Sequence, residues 1–296
     1  MEKQLNLEKK SWYERYYKLL MLIPILLVTS SLIFLVSFYL KNGEIILKDV
    51  SLSGGTTITI SGDVDSSKLN ALKKDFPDIS VRKLTDLSTG TSLASIIESS
   101  SQPESLKTAL EKSLGYNLTN ENSSIEFSGP TLSEGFYKQL LVALAIAFIL
   151  ISLVVFVMFR SLVPSVAVIF AVISNIIIPL ALIDYLGVKL SAAGIAAFLM
   201  LIGYSVDTNI LLTTRAIKNR DGFVNERIFR AFKTGILMTT TAIAAVLPAF
   251  FVVTGLPDSF RQIFLILAFG LFSDIFNTWL ANAGIIKLFC IKKGIQ

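Results

Sequence analysis

The sequence predicts an α-helical polytopic membrane protein. Six transmembrane helices are expected, with an extracytoplasmic ferredoxin-like α+β domain between helices one and two. Three observations carry this prediction. Hydrophobic residues make up 53% of the 296 residues and mean hydropathy is +0.66, too apolar for a soluble domain. The excess falls in runs of about 20 residues, long enough to cross about 30 Å of hydrocarbon at 1.5 Å per residue. One long stretch, 41–137, instead holds most of the acidic residues, many serines and no such run.

Residues 1–18 are polar, aromatic and basic, with Lys3, Lys9, Lys10, Arg15 and Lys18 beside Trp12, Tyr13, Tyr16 and Tyr17. Charges and interfacial rings just ahead of a span suit an amphipathic stretch on the cytoplasmic surface. Span one follows at 19–40, with Pro24 in its first turns, where a missing donor matters least. The run is too long for a signal-peptide core and no small-residue cleavage site follows, so it is read as a retained anchor.

Periodicity organises 41–137. Residues 56–60 alternate like a strand. The spacing over 66–76 predicts a helix, capped by Asp65 or Ser66, with Leu69, Leu72 and Phe76 on one face. Residues 79–84 alternate again and 92–97 read as a further strand. Residues 102–114 form a helix, with Pro103 at its first position, Leu106, Leu110 and Leu114 on one face, and Gly115 just past its end. A last strand at 123–127 completes β-α-β-β-α-β, the ferredoxin-like split. An added strand at 44–50 would run into Gly54-Gly55, a pair that reads as a turn or bulge.

Gly129-Pro130 returns the chain to the membrane. Spans two to six are expected at 138–159, 162–183, 190–213, 232–253 and 262–287, with a basic loop at 214–231 and a tail at 288–296. Arg160, the 214–231 loop and Lys287, Lys292 and Lys293 fall on the same side as the N-terminal cluster, whereas the opposite short loops hold only Lys189 and Arg261. Both termini are therefore expected in the cytoplasm and 41–137 outside. Asn117-Leu118-Thr119 and Asn122-Ser123-Ser124 are glycosylation sequons on that outer segment.

The formal charge of +5 reports this topology rather than an acidic partner such as nucleic acid. With no histidine, imidazole metal sites and imidazole proton relays are excluded, and a single cysteine, Cys290, permits no internal disulfide. There is no phosphate-cradling Gly-rich loop with a lysine, no HExxH and no GxSxG, so an ATPase, metalloprotease or acyl hydrolase has no basis here and no cofactor is implied.

The polar groups that can carry chemistry lie in spans four to six. Span four ends in Gly203-Tyr204-Ser205-Val206-Asp207-Thr208-Asn209-Ile210-Leu211-Leu212-Thr213-Thr214-Arg215. An ionisable group at bilayer depth costs about 2.5–3.5 kcal/mol, so Asp207 needs a partner or a function. Arg215 is about 12 Å further along the axis and does not reach it directly. Span five carries Thr239-Thr240-Thr241, and span six carries Asp274 with Asn277 on the same face. Together they can form a hydrated seam, with Asp207, Arg215, Asp274, Asn209 and Thr240 as candidates for a proton or sodium path. Desolvation favours the neutral form of a carboxylate, the property a proton relay uses. The plainer alternative is polar glue worth about 0.6 kcal/mol on average, the threonines bonding their own helix and the amides bridging helices. Asn175 through Pro179 in span three reads as a kink.

At these residues the chain resembles the SecF family, the smaller-subunit branch of the SecD/SecF preprotein-translocase accessory complex, in the archaeal form with separate chains. Gly203-Tyr204-Ser205-Val206-Asp207-Thr208-Asn209, followed by Arg215, fits that family's G-Y-S-V-D-T-[DN] pattern. Gly54-Gly55-Thr56 fits the end of its G-x-D-F-x-G-G-T signature, whose upstream part is altered here. Gly129-Pro130 and Phe269-Gly270 through Asp274 match further parts. The resemblance implies an RND-type half-transporter without a cofactor, paired with SecD in a twelve-span unit. It further implies a place in the lipid bilayer beside a SecYE-type channel, use of the proton gradient, and outer domains that handle the translocating polypeptide. It also places an acid, in many relatives, where Asn209 stands. The alternatives are a non-conducting scaffold that stabilises SecD and a free-standing RND-type small-molecule exporter.

Overall fold

The computed structural model describes residues 12–65, 68, 72–73, 75–85, 91–219, 221–252 and 258–295. Helix α1 (Trp12–Leu20) runs through Met21 into α2 (Leu22–Asn42), which Gly43 ends in the left-handed conformation, its N–H bonded to the Tyr39 carbonyl. Glycine meets no Cβ penalty there.

The strand expected over 44–50 does not form. The segment is tied instead to the loop before span four: Leu190 donates to the Leu47 carbonyl at 2.6 Å and Asp49 N–H to the Leu190 carbonyl at 2.9 Å. Backbone groups engaged there are not available to a sheet. Asp49 then caps a single turn, α3 (Val50–Ser53), its carboxylate accepting from Val50 N–H.

Strands β1 (Gly55–Ser61), β2 (Ser80–Thr85), β3 (Ser92–Ser99) and β4 (Ser123–Ser128) form one antiparallel sheet in the order β2-β3-β1-β4. Register places Ile58 opposite both Ile97 and Ile125. Helix α4 (Pro103–Leu114) covers the sheet with the face its spacing predicts, Leu106, Leu110 and Leu114 packing on Ile58, Ile60 and Ile97. Of the helix expected over 66–76, Ser66 and Leu69 lie outside the described residues, while Leu72 and Phe76 pack into this same core.

The membrane part comprises α5 (Pro130–Phe159), α6 (Leu162–Tyr185), α7 (Ala192–Ile217), α8 (Val224–Val252), α9 (Asp258–Phe276), a π-helical segment at Asn277–Asn282, and α10 (Ala283–Lys292). Among the described residues, six helical stretches are long and apolar enough to cross a membrane, α1–α2 counting as one and α9 to α10 as another. Helix α8 starts at Val224, so the basic loop expected to run to residue 231 is partly helical. Burial separates core from periphery: 56% of the spanning window of α6 and of α7 is buried within the chain, against 6% for α5 and 11% for α8. Helices α6, α7 and α9 pack directly on one another.

Small residues allow the closest approaches. A Cβ on Gly235 of α8 would lie 2.2 Å from the Trp279 ring. Gly235→Ala is expected to destabilise the chain by about 2 kcal/mol, the usual cost of overpacking. Thermal melts in detergent should show the loss, and a Trp279→Leu background should remove most of it.

Candidate functional site

The polar residues of the bundle meet where α6, α7 and the sixth span cross. Asp274 is the centre. It is fully buried (0% exposed), and its carboxylate accepts four side-chain hydrogen bonds. Oδ1 takes them from Asn175 Nδ2 (2.6 Å), Ser205 Oγ (3.0 Å) and Thr278 Oγ1 (3.0 Å), and Oδ2 from Thr208 Oγ1 (2.9 Å). No lysine or arginine among the described residues pairs with it. A buried carboxylate without a counter-ion depends on such donors to remain charged.

The network continues along the sixth span. Asn175 Oδ1 accepts from Ser273 Oγ (3.0 Å) and from Asn277 Nδ2 (2.5 Å). Asn209 donates to the Ser205 carbonyl (2.7 Å) and accepts from Asn282 Nδ2 (2.5 Å). The π-helical turn contributes here: by widening one turn after Asp274, it keeps Asn277, Thr278 and Asn282 all on the inner face, each fully buried. Such turns recur at functional sites.

The structure thus brings together Asp274 and Asn209, two of the predicted candidates, and leaves the other three apart. Asp207 is exposed on the surface of α7, in an outward stripe with Met200 and Gly203. Arg215 donates through Nη1 to Thr234 Oγ1 (2.9 Å) and to the Arg230 carbonyl (3.0 Å), fastening α7 to α8. Thr240 is exposed. Its neighbours bond their own helix, Thr239 to the Gly235 carbonyl and Thr241 to that of Leu237. The seam expected across spans four to six therefore runs across three, four and six. Helix α8 is excluded because it lies at the edge of the bundle.

Sequence reasoning missed the roles of Asn175, Ser205, Ser273, Thr278 and Asn282. The nearness of Asn175 to Pro179 suggests a kink, yet it is the residue that links Asp274 to Ser273 and Asn277. An amide within an apolar span was the available signal. A second buried carboxylate, Asp184, sits in the last turns of α6 at 3% exposure and was also missed.

Comparison with known proteins shows the family of the chain. Residues 108–292, more than half of the chain, match the family described as protein export membrane protein SecD/SecF, C-terminal. The chain is 36% identical over 281 residues to the protein-export membrane protein SecF of Methanolacinia petrolearia, covering 94% of this chain and 95% of that one. It is 32% identical over 279 residues to the SecF of Pyrococcus furiosus, covering 93% and 92%. In fold it is similar to the crystal structure of SecDF, a translocon-associated membrane protein from Thermus thermophilus, with a TM-score of 0.72 at 18% identity. That match covers 97% of this chain and 40% of the larger one, so the chain corresponds to well under half of the SecDF polypeptide. By this extent of match, the chain is a multi-pass membrane protein that belongs to the SecD/SecF family of protein-export membrane proteins, on its SecF branch.

Proposed function

We propose that this chain works as the SecF subunit of a SecDF complex, assisting translocation of polypeptides across the cytoplasmic membrane with the proton gradient. The observation that carries the reading is Asp274, an uncompensated carboxylate at the crossing of three helices. All four of its side-chain partners donate to it, an arrangement that suits the charged form. A proton on Asp274 adds an O–H that needs an acceptor and takes one acceptor position away. Hydroxyls can turn to helix carbonyls, as Thr208 already does toward Ser205 at 3.0 Å, but the Asn175 amide has no such freedom. Loading and unloading a proton therefore re-sorts the bonds between α6, α7 and the sixth span. The membrane potential supplies about 2.3 kcal/mol per charge per 100 mV to drive such a step.

SecD is the partner that would cover the outward stripe of Met200, Gly203 and Asp207 on α7, since an exposed carboxylate facing lipid is unfavourable. The basic residues of the short loops support cytoplasmic termini and an extracytoplasmic sheet domain. The strand order β2-β3-β1-β4 supports a ferredoxin-like split for that domain. Its edge strand β4 exposes Ile125 and Phe127, which suits β-addition of an emerging chain beside a SecYE-type channel.

The test is recovery of SecD with this chain from native membranes, together with gradient-driven export. Asp207→Asn is expected to lower SecD recovery several-fold while leaving the melting temperature of the isolated chain unchanged. Arg215→Met is expected to lower that temperature by a few degrees, consistent with loss of a charge-assisted bond worth about 1.5–3 kcal/mol. Absence of SecD from the purified material would overturn the reading. A scaffold role is favoured by one observation, that the span-four acid faces outward while Asn209 in the core is uncharged. It predicts normal export per complex once SecD recovery is matched.

A further inference from the structure

Away from the bundle centre, a second group of buried charges lies where the sheet domain meets the membrane helices. Glu98 on β3 is 3% exposed and Asp49, which caps α3, is 8% exposed. Arg82 on β2 donates to Glu98 Oε1, and Lys189, from the loop between α6 and α7, stands 3.9 Å from Oε2. Among the described residues, none donates a hydrogen bond to Oε2. Asp49 lines one cavity with Arg82 and Lys189, the two cations that flank Glu98, so the two carboxyls share one pocket of charge. Two carboxylates are both acceptors, so facing each other they bond only when one carries a proton. That cavity, of about 330 Å³ and lined also by Arg261 and Gln262, lies alongside the cluster.

We infer that Asp49 and Glu98 form a binding site for a single proton, and that this proton fastens the sheet domain to the bundle. The pair joins segments that must stay together for the docking to hold. Asp49 belongs to the linker held by Leu190, and Glu98 to the sheet. Burial first, and then the charge of Asp49, push the Glu98 carboxyl up to about 7, against the opposing pull of Arg82 and Lys189. Arg261, across the cavity, stacks on Phe250 at 4.7 Å, and Lys48, on the linker, is engaged by Glu44 at 2.9 Å. Neither of these cations bonds the pair, and Asp184 at the end of α6 faces the linker at the Leu47 backbone rather than Glu98. Because the docked state raises the affinity of Glu98 for its proton, docking is favoured at low pH and is lost as pH rises through about 7. On a membrane that acidifies its outer face, the same linkage would tighten the domain as the gradient builds. The site itself does not depend on the export role.

The experiment is deuterium exchange on the full-length protein in detergent, read at the amides of 47–49 and 187–190 and corrected for intrinsic exchange. Between pH 6 and pH 8, protection in the native chain should fall about tenfold, the change expected when a raised carboxyl pKa relaxes to its ordinary value on undocking. Glu98→Gln, which can donate to Asp49 at any pH, should hold the pH 6 level throughout. Asp49→Asn keeps the capping oxygen and should flatten the profile as well. A flat native profile would overturn the proposal, as would an unchanged slope in either variant that folds. If neither variant folds, the native profile decides.

Discussion

Asp274→Asn is expected to reduce gradient-driven export at least tenfold while leaving the amount of folded chain within about a factor of two. The amide preserves shape and removes the ionisable group, so the proton exchange proposed for the crossing of α6, α7 and the sixth span would be abolished. Asp274→Ala should remove export and also cost stability. It takes the acceptor away from one N–H of the Asn175 amide, which keeps its bond to Ser205 Oγ at 2.7 Å, and from the hydroxyls of Ser205, Thr208 and Thr278. Each buried donor left unsatisfied costs about 1–3 kcal/mol, and the three hydroxyls can recover part of that by turning to carbonyls of their own helices, so a net loss of about 2–4 kcal/mol is expected. Export into vesicles holding SecD and the channel, measured at matched protein levels, checks the first outcome, and denaturant titration checks the second. Normal export by Asp274→Asn would remove the ion path through this subunit.

Gly54→Ala is expected to destabilise the chain by about 3 kcal/mol or more, because a forbidden backbone conformation and a hard steric clash add. Gly54 holds φ +83°, and a Cβ there would stand 2.4 Å from Pro130 Cα and 2.7 Å from Pro130 N. Both are backbone atoms, so neither can yield by changing a rotamer. The adjacent Gly55 is confined in the same way, its Cβ position lying 2.4 Å from the Ser99 carbonyl oxygen. Gly62 is the control: it has φ +89° and open space around it, so Gly62→Ala should show only the smaller cost of the left-handed backbone, about 1–2 kcal/mol. The yield of folded protein and its melting temperature distinguish the three. If Gly54→Ala and Gly62→Ala were equal, the close approach to Pro130 would have no energetic weight.

The glycine pair and Gly129-Pro130 illustrate how far a sequence can be read. Each stood out as a local punctuation mark, a turn and the start of a helix. That they press on one another, joining the start of β1 to the start of α5, is a statement about residues far apart in the chain. The linker at 44–50 repeats the point: its pattern suits a strand, and only the approach of Leu190 directs it elsewhere.

The sequence by itself determined the six spans, the four strands and the helix over Pro103–Leu114. Each span is selected by transfer free energy summed over about twenty residues, and each strand or helix of the sheet domain by a period of two or 3.6, both local sums that neighbours in the chain supply. It also determined which helix carries the polar motif. The tertiary structure alone decided which side of that motif faces the bundle core. Asp207 and Asn209 are two residues apart, about 200° around the helix, so they cannot both face the core. Packing of α6 and the sixth span on α7 turned Asn209 inward and Asp207 outward. The same packing gave Asp274 partners 99, 69 and 66 residues away in Asn175, Ser205 and Thr208. Burial of a charge depends on what lies across from it, and no local period records that.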